Sequence, residues 1–108
     1  MRPQRVRING RRWTLEYPEA IDDEGTYGIT YYDTHTIQVR DGLAPIEEAD
    51  TVIHEVLHAL IASMGLTVPD EEPIVRALAS GLTGVLADNP TLLKHLNGCL
   101  KGSPKKEK

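Results

Sequence analysis

The chain has 108 residues, 40% of them hydrophobic and 26% charged, with a formal net charge of −4. That size fits one small domain with a modest core and is too little for a large substrate-binding lobe, and the balance is ordinary for a globular protein. A single cysteine, Cys99, excludes an internal disulfide and a cysteine-rich structural zinc site.

In chain order, the first forty residues read as strands. Val6 and Ile8, the dipeptide Asn9-Gly10, and then Trp13, Leu15 and Tyr17 form alternating runs around a tight-turn signal, which predicts a β-hairpin. Arg2, Arg5, Arg7, Arg11 and Arg12 make this end basic. It reads as a solvated edge or, alternatively, as a surface for nucleic acid or an acidic protein partner. Pro18 to Gly25 is a turn-rich loop containing the acidic run Asp22-Asp23-Glu24. Tyr27 to Tyr32 and Thr36 to Arg40 are rich in Tyr, Thr, Ile and Val, and predict a second hairpin.

The period then changes. Ile46, Ala49, Ile53, Val56, Leu57, Leu60, Ile61 and Met64 recur at spacings of three and four, the pattern of an amphipathic helix. Pro45, Glu47 and Glu48 suit its first turn, and Gly65 suits the position just beyond its end. Asp70 is the expected N-cap of a second helix with an apolar face of Ile74, Val75, Leu78, Leu82, Val85 and Leu86, ended by Asn89-Pro90. Leu92, Leu93, Leu96 and Leu100 predict a short third helix. The expected fold is α+β: a small antiparallel sheet of two hairpins, then three helices. Residues 1–100 form one domain, and the basic stretch 101–108 is expected to be a disordered tail. Neither a membrane span nor a signal-peptide core is evident, so a cytoplasmic setting is the default expectation.

Chemistry concentrates on the first helix, in His54-Glu55-Val56-Leu57-His58. Two histidines four apart project from one helix face, at the border of the apolar stripe, where neutral imidazoles can share a tetrahedral divalent metal. Glu55 lies beside the pair and can act on a water there without binding the metal. This is the His-Glu-x-x-His pattern of zinc peptidases, in which zinc activates water and the glutamate is general base. A zinc site without hydrolysis is the other reading of the same letters.

A third protein ligand is required. Glu71 and Glu72 open the second helix. Wheel position favours Glu72, which shares the border location of the histidines, with Glu71 as the alternative. His35 at a hairpin turn reads as an exposed residue, His95 among the leucines of the third helix as a structural one, and Tyr27, Tyr31 and Tyr32 as sheet-packing residues with solvated hydroxyls. A tyrosine would serve by donating a phenol to an oxyanion.

The segments Thr51-Val-Ile-His-Glu-Val-Leu-His-Ala-Leu60 and Glu72-Pro-Ile-Val-Arg-Ala-Leu-Ala79 resemble the gluzincin metallopeptidases, most closely the minigluzincins and small phage-encoded metallopeptidases. The resemblance implies a minimal zincin-like fold with His54, His58 and Glu72 holding one Zn2+ and Glu55 as general base. It also implies a peptide or protein substrate lying along the sheet's edge strand, for which Thr36, Ile37, Gln38 and Val39 are the expected residues. It departs from the pattern at Arg76, four residues after Glu72, where an acceptor usually orients a ligand histidine and a guanidinium cannot. The alternative function is a non-catalytic zinc-stabilised binding or regulatory module using the basic N-terminal strand. A latent form, with the third helix or the tail over the cleft, is a further expectation.

Overall fold

The computed structural model describes residues 2–21 and 26–102. The acidic run Asp22-Asp23-Glu24 and all but the start of the basic tail lie outside the described residues.

Strands β1 (Arg5–Ile8) and β2 (Arg11–Glu16) form the first hairpin, turning at Asn9-Gly10 with φ of 50° and 82°. Positive φ at both central residues matches the right-handed twist of the flanking strands, and Asn-Gly tolerates it. Strands β3 (Gly28–Tyr31) and β4 (Thr36–Val39) form the second hairpin. The two hairpins join into one sheet of order β1-β2-β4-β3, in which β2 and β4 run parallel. The sheet is therefore mixed rather than wholly antiparallel.

That order corrects the expectation for Thr36, Ile37, Gln38 and Val39. They form β4, an interior strand paired on both sides, and cannot take an added strand. The cause is side-chain volume. Ile37 and Val39 point inward from β4 and are fully buried beside Ile8, Trp13, Leu15 and Ala59. Burying each stabilises the fold by about 1.5–3 kcal/mol, so β4 belongs in the middle. The inward positions of β3 carry only Gly28 and Thr30, and β3 is the edge.

Three helices follow: α1 (Pro45–Ser63), α2 (Glu71–Asp88) and α3 (Pro90–Leu100). Helix α1 lays Val52, Val56 and Ala59 on the sheet. It ends as expected at Gly65, whose φ of 72° lets Gly65 N–H reach Ala62 and Leu66 N–H reach Ile61. This pair of bonds satisfies carbonyls that a helix end would otherwise leave open. Asp70 does precede α2, but in a left-handed conformation (φ 56°), and its side chain caps nothing. Helix α2 packs Val75, Ala79 and Thr83 against α1, while α3 touches only α2 and buries none of its residues. Among the described residues, then, the third helix does not cover a cleft. No described helix is long and apolar enough to cross a membrane.

The tightest contact between sheet and helices is at Gly28. A Cβ built there would lie 2.6 Å from Thr51 Cγ2 and 3.1 Å from Glu55 Cγ and Oε2. Gly28→Ala is expected to destabilise the fold by about 1–3 kcal/mol, as overpacking does. Urea denaturation of Gly28→Ala beside the double variant Gly28→Ala/Thr51→Ser checks the cause. Removal of Cγ2 should recover part of the loss, and equal midpoints for the two variants would show that the contact is not the constraint.

Candidate metal centre

Helix α1 presents His54 and His58 one turn apart, with ring centroids 4.9 Å from each other. The short Gly65-to-Asp70 connection returns the chain so that the first turn of α2 faces them. Glu72 Oε1 lies 2.7 Å from His58 Nε2, and the same carboxylate is 3.2–3.3 Å from His54 Nε2. One ligand atom from each of His54, His58 and Glu72 lies within 4.8 Å of the others, close enough to hold one metal ion. Two imidazole nitrogens and a carboxylate oxygen suit a divalent cation of intermediate softness.

The alternative ligand Glu71 stands elsewhere. His58 Nδ1–H donates to Glu71 Oε2 at 2.6 Å, on the far side of the ring from Glu72. Fixing the proton on Nδ1 leaves Nε2 as the metal-facing atom, so Glu71 orients His58 instead of competing with Glu72. This arrangement supplies the acceptor that Arg76 cannot provide. Arg76 itself donates to Glu72 Oε2 at 3.0 Å, one turn along α2.

Glu55 lies beside the pair on α1, on the flank that faces β3. It is 7% exposed, and Thr30 Oγ1–H donates to its Oε1 at 2.6 Å. The carboxylate is thus held between α1 and β3, at the border of an open cleft of about 730 Å³ that also contains His54, His58 and Glu72. Tyr27, Gly28, Ile29, Thr30 and Tyr32 form the β3 side of this cleft, and Asp50 and Ser80, joined at 2.8 Å, close one end of the wall between α1 and α2. Neither Thr30 nor Glu71 was singled out for these roles by sequence. A glycine inside a β-branched run does signal close backbone approach, and Thr30, two residues on, shares its inward face.

The remaining candidates separate clearly. His35 sits in the β3–β4 turn with φ of 51°, edge-on to Trp13, and Tyr31 is not among the cleft residues. His95 pairs with Cys99 along α3, with Nε2 and Sγ 3.6 Å apart. Tyr32 lines the cleft. Burial first, and then the charges of Glu71, Glu55 and Glu72, raise its pKa and keep the phenol as an O–H donor.

The imidazole and carboxylate shift one another. Burial opposes charge on His58, but hydrogen bonds to Glu71 and Glu72 outweigh it, and its pKa rises above 6.5. Burial likewise opposes charge on Glu72, yet the His58 hydrogen bond and the charge of His54 take its pKa below 4.5. Carboxylates at both ring nitrogens favour the imidazolium form of metal-free His58.

Comparison with protein-family models, curated proteins and solved structures finds no match for this chain.

The two shifts predict the pH dependence of the metal-free protein. The raised His58 stabilises fully below its ordinary value of 6.5 and loses that contribution as pH rises through the folded pKa. The lowered Glu72 stabilises fully above its ordinary value of 4.5 and loses it as pH falls through the folded pKa. The pair should therefore contribute most between those two ordinary values, measured by thermal melts in the presence of a chelator. Glu71→Gln should lower the His58 pKa, read by NMR titration of the imidazole, and weaken metal affinity by about 10–100-fold. An unmoved titration would remove Glu71 from its orienting role.

Proposed function

We propose that the chain is a zinc-dependent peptidase acting on an extended peptide segment laid along the free edge of β3. The observation that carries this reading is the convergence of His54, His58 and Glu72, with Glu55 held beside them across the same cleft. The resemblance of the two helical segments to gluzincins points the same way. Zinc, when bound by such a donor set, supplies Lewis acidity that acidifies water and polarises a carbonyl.

The chain's own residues do the rest. Among the described residues strand β3 pairs only with β4, so its outer N–H and C=O groups can hydrogen-bond a substrate backbone and align it with the cleft. Glu55 accepts a proton from the attacking water and returns it to the leaving amine. Thr30 holds that carboxylate in one orientation. Glu71 holds the His58 ring. Tyr32 donates its phenolic hydrogen to the oxygen on which negative charge develops.

Glu55→Gln should retain stoichiometric zinc and lower peptide turnover by about 10²–10⁴-fold. Tyr32→Phe should also retain zinc and lower kcat by about 10²–10³-fold, with little change in KM. Metal analysis beside a peptide-cleavage assay separates these outcomes. Wild type and Glu55→Gln cleaving alike, or neither cleaving any extended peptide while both bind zinc, would leave a metal-binding module and remove the enzyme.

A second reading has its own observation. On the outer face of the first hairpin Arg7 lies directly opposite Arg12, and among the described residues Arg5, Arg7, Arg11 and Arg12 make no ion pair with a carboxylate. Like charges opposed across strands cost stability, and a polyanion bound there would offset it. Binding to single-stranded nucleic acid should then fall steeply with salt and vanish in Arg7→Gln/Arg12→Gln. A flat salt response would dismiss this surface.

A further inference from the structure

We propose that Arg76 is a positioning residue: its guanidinium holds Glu72 Oε2, so that the carboxylate gives a bound cation one oxygen and a coordination position stays open. The role rests on the metal centre of the proposed peptidase and concerns how that centre keeps room for water or substrate.

Packing does not fix the Glu72 side chain. It stands second in α2 with 49% of its surface exposed. Among the described residues its oxygens meet His54, His58 and Arg76. Oε1 is 2.7 Å from His58 Nε2 and 3.3 Å from His54 Nε2. Oε2 is 3.2 Å from the same His54 nitrogen. Both oxygens therefore lie within reach of the imidazole pair, and a cation held there can be gripped by one or by both. The two grips differ in chemistry. A catalytic zinc keeps three protein ligands and an open fourth position. A second carboxylate oxygen would fill that position or force water to enter as a fifth ligand.

Arg76 separates the two oxygens. Its Nη2–H donates to Oε2 at 3.0 Å in a charge-assisted bond. It follows Glu72 by four residues, the order in which an acid and a base support each other along a helix. Its guanidinium makes no other ion pair among the described residues. A cation approaching Oε2 meets that positive charge directly, whereas Oε1 faces only imidazoles. The guanidinium cannot accept a hydrogen bond from a ligand histidine, and Glu71 already accepts the one from His58 Nδ1. Position 76 is thus free to act on the carboxylate. Its side chain is 67% exposed on the cleft wall, so replacing it leaves the core untouched.

Cobalt(II) accepts the same donors as zinc and reports the number of its ligands. Its visible bands are intense when it is four-coordinate and weaken as further ligands bind. Metal-free full-length wild type, Arg76→Leu and Arg76→Lys are each titrated with cobalt(II), after circular dichroism has shown them equally folded. Wild type should take up one equivalent with intense bands. Arg76→Lys retains a charge and a donor, and should keep them. Arg76→Leu should bind one equivalent with clearly weaker bands, because the released Oε2 joins the metal. Bands of full intensity in Arg76→Leu would overturn the proposal, as would bands weakened equally in Arg76→Lys. Loss of cobalt binding in Arg76→Leu would overturn it too, by showing that Arg76 builds the site instead of restraining one ligand. Wild type that takes up no cobalt would remove the metal centre itself, and the proposed peptidase with it.

Discussion

The backbone of β3 at Gly28 lies against Thr51 and Glu55 of α1 with no space for a Cβ, and the cleft takes its form from that approach. A larger residue would lift β3 from the helix and carry Thr30 away from the Glu55 carboxylate it holds. The same closeness makes a buried carboxylate tolerable. Glu55 is nearly out of water, and an acceptor so placed must find a donor in the protein. Thr30 provides it at 2.6 Å. Small inward residues on β3 therefore do three things at once. They leave β3 as the edge, they admit the glutamate beneath it, and they open one wall of the cleft.

Beside Glu55, at the histidines of α1, the governing term is electrostatic. Glu71 and Glu72 are consecutive at the start of α2, where the helix dipole favours negative charge. Both are turned onto one imidazole, one at each nitrogen. Two carboxylates gripping one ring raise its proton affinity, so a proton on His58 and a divalent cation between His54, His58 and Glu72 answer the same negative field. They would compete, and a metal bound there would displace any proton held on Nε2. Glu71 keeps its bond to Nδ1–H in either state. The guanidinium of Arg76, 3.0 Å from Glu72, draws on the same carboxylate and moderates the charge it offers a metal.

Much of this was legible in the sequence because it is local. The Asn-Gly turn, the period of α1, the terminating Gly65 and the four-residue spacing of His54 and His58 depend on residues close along the chain, and each is found where expected. Glu72 as the partner of the histidines followed from wheel position, which is also local. What was not legible depends on pairing at a distance. Which strand stands at the edge is decided by how the two hairpins join, and residues 36–39 read as an edge although their inward side chains fill the core. Asp70 was rightly placed before α2, but its left-handed backbone, not a side-chain cap, starts the helix. That start helps set where Glu71 points, and helical-wheel arithmetic assumes a regular turn there.

Helix α2 presents three distinct faces, and their angular order matters. Val75, Ala79 and Thr83 are small or short, which lets α2 approach α1 closely enough to bring Glu72 within 2.7 Å of His58. Glu72, Arg76 and Ser80 look over the cleft. Ile74, Leu78, Leu82 and Val85 face away from it. At about 100° per residue the outer stripe and the cleft face lie on opposite flanks of the α1 contact.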